Sequence, residues 1–383
     1  LEPWLDAQMQ RVSVQAHSVP YSQQIAMAKA VAPAGYSLSS YAQMPDPTRA
    51  NVATFLAPAK PGHGGHRKAW LVFINPYTGQ VTGQRGAHDT IFGLFLRIHT
   101  NLYIGKWGHH LTELTVSWVV VTLLLGFTLW WPRRHKKGGA YRVRKAVAAS
   151  ARWTRRTWRD WHAVLGFYVL PCALILSVTA LLFTNNTSKV ILASQSALGQ
   201  KPPEYSQQFV SIPVIGADQH AVLDTVIHDF LSHNVDRSFS VVLPQSPSEA
   251  LAINSHLSQQ PWHLRMAWHD AYSGQLLGHT QWSALPVGAK ALALFYPLHT
   301  GEIFGWVTQL LMLLAALILA FLTYSGVRLW WLRRKPDDAW AIPPQPHTPL
   351  PWWGWVVCVG LMGLLPAFGV SVAALIIMGL VWR

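Results

Sequence analysis

Residues 99–134 read HTNLYIGKWGHHLTELTVSWVVVTLLLGFTLWWPRR, and residues 299–334 read HTGEIFGWVTQLLMLLAALILAFLTYSGVRLWWLRR. The two stretches align without a gap at an offset of 200 residues. His99-Thr100 falls on His299-Thr300, Gly105 on Gly305 and Gly126 on Gly326. Leu129-Trp130-Trp131 falls on Leu329-Trp330-Trp331, and Arg133-Arg134 on Arg333-Arg334. Each copy runs from a histidine, through an apolar segment, to a tryptophan pair and an arginine pair. A unit repeated in this way implies a pseudo-symmetric membrane protein with two equivalent histidines on the same side.

The surrounding composition agrees. Only 12% of the 383 residues are charged and 51% are hydrophobic, with 20 Trp; an ordinary soluble domain carries about 25% charged residues. The shortfall comes from four long apolar runs of spanning length, Leu111–Trp131, Trp161–Phe183, Phe304–Trp331 and Trp352–Trp382, the last with a kink expected at Pro366. Each has Trp at an end, as interfacial belts do. Pro132–Arg159 holds eleven Lys or Arg and no acid before Asp160, and Arg328, Arg333, Arg334 and Lys335 follow the third run. The positive-inside rule makes these segments cytoplasmic, so residues 1 to about 110 and 185 to 303 lie outside. The +14 balance is then a topology signal with some affinity for anionic membrane lipid. Nucleic-acid binding is a poor alternative, because the basic run sits between two spans. The opening Leu1-Glu2-Pro3-Trp4-Leu5 reads like the exit of a membrane segment, so a further spanning helix is expected to precede it. Cys172 and Cys358 both sit in apolar runs, as packing residues rather than a disulfide.

A second resemblance, at an offset of 195, precedes the first. Phe73-Ile74-Asn75-Pro76-Tyr77-Thr78-Gly79-Gln80 compares with Trp268-His269-Asp270-Ala271-Tyr272-Ser273-Gly274-Gln275. Each reads as a strand followed by an Asn or Asp turn that Gly closes at positive φ. A helix and two strands precede each turn: Tyr21–Val31, Tyr36–Tyr41 and Asn51–Leu56, then Ala217–Leu231, Ser238–Leu243 and Leu251–Ser255. The expected fold class is an α-helical integral membrane protein with two small α+β outer modules. The expected boundaries are 1–86 for module 1, 87–131 for an amphipathic and a spanning helix, and 132–160 for the basic loop. A span over 161–184, module 2 over 185–286, a second amphipathic and spanning pair over 287–332, a loop over 333–351 and a last span over 352–383 complete the chain.

These motifs resemble the PepSY-associated transmembrane family. The matching pieces are the Asn/Asp-x-x-Thr/Ser-Gly-Gln turns, Leu298-His299-Thr300-Gly301-Glu302-Ile303-Phe304-Gly305, and Trp161-His162 followed by Gly166. Gly126 and Gly326, each followed by x-x-Leu-Trp-Trp, complete the set. Within that family the chain resembles inner-membrane ferric-siderophore reductases. The resemblance implies two b-type haems, PepSY-like modules in the periplasm of a bacterium, and electron delivery to a ferric hydroxamate-type siderophore. It implies a haem held between His99 and His299 and a second, nearer the cytoplasm, held by His162. The partner of His162 would come from a preceding helix or from His135.

The other candidates carry competing readings. His109 and His110 open the first repeated span; either is a substitute ligand for His99 or an interfacial histidine. Arg97 and Lys106 flank His99 and suit haem propionates, or snorkel as anchors. Glu302 adjoins His299 and is expected to orient its ring. Glu113 lies one turn inside the span and is expected to be solvated at the interface. His63 and His66 lie in a glycine loop, where a solvated turn competes with metal binding. His220, His228, His233, His256, His263, His269 and His279 lack zinc-site spacing. No nucleotide-binding loop is evident, so electrons would come from a quinol or from a cytoplasmic flavin or nicotinamide reductase. Two alternatives stand beside the reductase: a non-enzymatic membrane-anchored binding or regulatory protein, and an iron-siderophore permease.

Overall fold

The computed structural model describes residues 7–59, 67–137, 153–201, 208–214, 216, 222–233, 238–255, 260–334 and 351–381; side chains at 7, 8, 129–137 and 381 lie outside the description. In chain order the elements are α1 (Tyr21–Val31), β1 (Ser37–Gln43), β2 (Asn51–Leu56), β3 (Ala69–Ile74) and β4 (Val81–Gly86). Then come α2 (Ile91–Asn101), α3 (Lys106–Lys137), α4 (Arg155–Leu181), α5 (Thr187–Ala197) and α6 (Leu223–Ser232). The strands β5 (Phe239–Val242), β6 (Leu251–Asn254), β7 (Arg265–His269) and β8 (Leu276–Gln281) follow. The chain ends with α7 (Val287–Thr300), α8 (Trp306–Trp331), α9 (Trp352–Leu364) and α10 (Pro366–Val381). They divide into a sheet unit, Leu1–His99 with Lys201–Lys290, and a helical unit, Thr100–Gln200 with Ala291–Arg383.

The sheet unit holds one antiparallel sheet in the order β4-β3-β2-β1-β5-β6-β7-β8. The sequence separates two modules; their four-stranded halves share a ladder at β1 and β5, with Ser40 opposite Val242 and Gln43 opposite Phe239. Pairing the two inner edges satisfies backbone groups that separate sheets would leave exposed. The halves correspond in detail. The Asn75 carboxamide oxygen accepts from the amides of Tyr77 and Thr78, as Asp270 accepts from those of Tyr272 and Ser273. Tyr77 donates to the Pro47 carbonyl at 3.0 Å and Tyr272 to that of Pro247 at 3.1 Å. Gly79 and Gly274 close the turns at φ 71° and 72°. On the back of the sheet, Met9 lies where Gly83 has no Cβ, and Phe209 where Gly278 has none.

One face of the sheet is covered by α1 and α6. Ile25 and Ala28 of α1, with Leu223, Val226, Ile227 and Phe230 of α6, pack on Tyr41, Phe55, Val72, Ile74, Phe239, Val241 and Ile253. A bulge between Leu38 and Ser40 turns both Leu38 and Tyr41 to this face. Burial pushes the Tyr41 phenol well above its ordinary pKa. Its hydroxyl donates to Gln24 at 2.6 Å and accepts from Asn51 at 2.7 Å. The helices are tied by charge as well. Asp224 in the first turn of α6 accepts the amides of Tyr21 and Ser22 at the start of α1, which have no partner within their own helix. Asp224→Ala is expected to lower the stability of the sheet unit by about 1–3 kcal/mol, read by thermal unfolding of the purified chain.

Asp270 makes a second prediction. Burial opposes its ionisation, but the amides of Ser273, Ile212 and Tyr272 and the Ser273 hydroxyl donate to it, and its pKa falls below the ordinary value. A depressed carboxyl stabilises the fold at pH above its unfolded value of about 3.9 and loses that contribution as pH falls through the folded value. Asp270→Asn is therefore expected to lose stability at neutral pH and to show a weaker fall below about pH 4 than the parent chain. Equal pH profiles for the two proteins would contradict this.

In the helical unit α4 packs between α3 and α8. The three carry apolar segments long enough to cross a membrane: Lys106–Thr128, Arg155–Leu181 and Trp306–Trp331. The first two begin before the apolar run read from the sequence, and the third begins two residues inside it. Gly105 and Gly305, both at positive φ, set the start of α3 and α8. Thr154 caps α4 by accepting from the Thr157 amide, so the charged first turn of α4 belongs to the helix rather than to the basic loop. The fourth apolar run is two shorter helices, α9 and α10, broken at Leu365 and Pro366. Proline cannot supply the amide that the preceding turn needs. Leu361, Leu365 and Phe368 around the break pack with Val120 and Val121 of α3, and Trp118 donates to Ser371 at 3.0 Å.

Candidate functional site

His162 stands two turns into α4 and is partly buried against α8. Its Nδ1 lies 2.7 Å from Ser325 Oγ. The Ser325 hydroxyl also lies 3.1 Å from the Leu322 carbonyl; donating there leaves its oxygen to accept from Nδ1–H, the tautomer taken for this ring. Nε2 then carries the ring's lone pair, the form that binds a metal. Residue 326, a glycine, lies against the ring: a Cβ there would meet His162 Cε1 at 3.7 Å, an ordinary contact, so a larger side chain would fill the ring's space. Next to it, the Trp161 Nε1–H is buried with no partner among the described residues, an arrangement with a cost unless a bound group accepts from it.

His299, in the last turn of α7, is held from the other end of α4. Its Nδ1 lies 3.2 Å from the Leu176 carbonyl and 3.1 Å from Thr179 Oγ1. A carbonyl only accepts, and the Thr179 proton goes to the Ile175 carbonyl at 2.6 Å. Nδ1 is again the donor and Nε2 again holds the lone pair. Phe183 flanks the ring at 5.4 Å between centroids. The partners described for Nδ1, Leu176 and Thr179, both lie on α4; Glu302, the residue expected to orient this ring, lies in the adjoining turn. Fourteen residues separate His162 from Leu176, a rise of about 21 Å along α4. The two imidazoles therefore occupy different levels of one spanning helix.

The remaining candidates are placed as follows. His99 lies on α2, in the sheet unit, and is exposed, as are Arg97 and the apolar Leu94, Phe95, Leu96 and Ile98 beside it. This is the exposed apolar surface of an interfacial helix. His109 is half-buried and His110 exposed, with its ring 6.3 Å from that of Trp107. Lys106 lies over the same indole at 5.8 Å, a snorkelling position. The side chain of His135 lies outside the description, as do His63 and His66. Glu113 departs from expectation. It is fully buried rather than solvated, and it accepts from the Thr187 amide at 2.8 Å and the Asn186 amide at 3.2 Å. A carboxylate on α3 thus serves as the cap of α5, at the end where orphan amides gather. His269, read as an ordinary module residue, is a core residue with Nδ1 3.0 Å from the Gly274 carbonyl. Both cysteines are free, and Cys172 packs beside Val169, Ala173 and Ala315.

Sequence reasoning singles out His162 and His299 as candidates but not the groups that hold their rings. Ser325 and Thr179 are single hydroxyls inside apolar runs. That polarity is the available signal, but it does not say which ring each hydroxyl meets. A comparison with curated proteins finds no match. The PepSY-associated TM region family matches residues 1–333, which takes in the sheet unit's strands and the helices α1 to α8. This chain is a membrane protein and belongs to the PepSY-associated TM family.

Proposed function

We propose that the protein is a bacterial inner-membrane reductase that carries b-type haem and passes electrons to a ferric siderophore in the periplasm, releasing iron as Fe(II). The observation that carries the proposal is the pair of histidines held at Nδ1 at two levels of α4. Haem b, when bound, would supply a one-electron couple at each level. The chain's part is to hold and orient. His162 and His299 offer Nε2 to iron, Ser325 and Leu176 fix their tautomers, and Trp161 keeps a buried donor for a bound group. By the repeat, His99 would be the second outer ligand, with His109 or His110 as its substitute and Arg97 and Lys106 as cations for haem propionates. On this reading the basic residues from Arg133 to Arg159 face the cytoplasm and the sheet unit faces the periplasm, where it meets the chelate. Ferric iron is held tightly by hard oxygen donors and ferrous iron weakly, so one electron releases the metal and leaves the chelator intact.

The test is a reduced-minus-oxidised spectrum of the purified chain, followed by ferrozine capture of Fe(II) after mixing the reduced protein with ferric hydroxamate. The expected result is b-type bands that reoxidise as Fe(II) appears. A colourless preparation from haem-replete cells would overturn the proposal. Gly326→Ala is expected to retain the bands, because a Cβ fits at 3.7 Å from the His162 ring. Gly326→Leu fills the space the ring occupies and is expected to mimic His162→Ala.

A further inference from the structure

We infer that the protein takes its electrons from a membrane quinol bound beside His162. The inference rests on the haem reading above, which places the first electron acceptor at His162. A cavity of about 380 Å³ is lined by Trp153, Trp158, Tyr324, Val327, Arg328 and Trp331. Five of its six lining residues come from the same two helices as the His162 site, and Trp153 lies just before α4. Trp158 precedes His162 by four residues on α4, one turn along the same face. Tyr324 adjoins Ser325, whose hydroxyl lies 2.7 Å from His162 Nδ1.

The lining describes its ligand. Trp158 is the centre of an aromatic array, 4.5 Å from Trp153 and 5.5 Å from Tyr324 between centroids. Such walls accept a flat ring. The polar handles are the Arg328 guanidinium, a donor for a ring oxygen, and the Tyr324 hydroxyl; among the described residues no carboxylate lines the cavity. Tyr324, Val327 and Trp331 are 58%, 59% and 55% exposed among the described residues. They lie in the last turns of a spanning helix, so the mouth opens on that helix's outer surface at the level of the interfacial tryptophans. A flavin or nicotinamide dinucleotide would bring phosphates, which call for clustered backbone amides at a helix N-terminus; the cavity offers one guanidinium and the last turns of α8. A quinone head group has the required flatness, two ring oxygens and a lipid route of entry, and ligand cavities of this class start at about 300 Å³.

The reaction balances. The quinol loses two protons from its two hydroxyls and two electrons, becoming quinone. The electrons leave one at a time towards His162 and reduce two Fe(III) to two Fe(II) on the far side. The protons pass to water at the Arg155 end of α4. Arg328 favours the deprotonated ring oxygen, as a cation beside a phenol does.

An azido-quinone photoprobe added to the purified full-length chain tests the assignment. The expected label lies on peptides containing Trp158 or Tyr324–Trp331, and decylubiquinol displaces it. Arg328→Gln and Trp158→Ala are each expected to cut labelling by about tenfold or more, the loss of one good polar or stacking contact. Dithionite-reduced bands should persist in Arg328→Gln. A coloured protein labelled elsewhere, or labelled in the cavity but displaced equally by phospholipid alone, would overturn the quinol site. Cavity labelling of a colourless protein would uphold quinone binding and overturn the haem reading.

Discussion

His162→Ala and His299→Ala are each expected to remove one haem equivalent per chain in a pyridine haemochrome assay, and the double variant to be colourless. The expectation follows from geometry. The rings are held at positions 162 and 176 of α4, levels about 21 Å apart by helical rise, so neither can replace the other. Their described hydrogen-bond partners also differ: Ser325 holds one, and Leu176 with Thr179 hold the other. Losses at sites so separated should add. The partner groups yield a graded result. Ser325→Ala removes the acceptor that fixes the His162 tautomer and is expected to weaken haem retention by about 10–100-fold, without abolishing it. Unchanged bands in both histidine variants would refute the ligand assignment. Loss of all haem from either variant alone would refute two independent levels.

How far the fold is readable depends on what each stretch has to satisfy locally. Tyr21–Val31 and Asn51–Leu56 form at the expected residues because their patterns are self-sufficient. The strand alternates buried and half-buried positions along its length, and Pro20 and Pro33 flank the helix. The Asx turns at Asn75 and Asp270 are readable for the same reason: turn chemistry resides in adjacent residues. The junction of β1 and β5 is not. It joins strands about two hundred residues apart, and nothing in either strand names its partner. Pro366 marks a break, but only packing decides that the last apolar run becomes two helices. Among the site residues, repetition points to His299 and the Trp-His pair to His162. The hydroxyls that orient them depend on the register between α4 and its neighbours, which a sequence does not display.

Glu113→Ala is expected to destabilise the helical unit by at least about 3 kcal/mol, since several donors each lose a buried acceptor at about 1–3 kcal/mol, the largest single-residue effect on stability anticipated here. The carboxylate is fully buried. Four donors converge on it: the amides of Asn186 and Thr187, the Asn186 carboxamide at 3.0 Å and the Thr187 hydroxyl at 2.9 Å. Truncation leaves all four without their acceptor, and stranding a buried donor costs more than making its bond contributes. Glu113→Gln keeps one oxygen but turns an amino group towards donors, so about 1–3 kcal/mol is expected. The loss should be local in its first effect. Asn186 and Thr187 start α5, whose Ile191 packs with Val120, Val121 and Leu181. Hydrogen exchange of the α5 amides should therefore quicken more than that of α4 or α8, where the two histidines are held. A solvated Glu113 would behave otherwise: both variants would unfold with the parent chain, and exchange in α5 would not change.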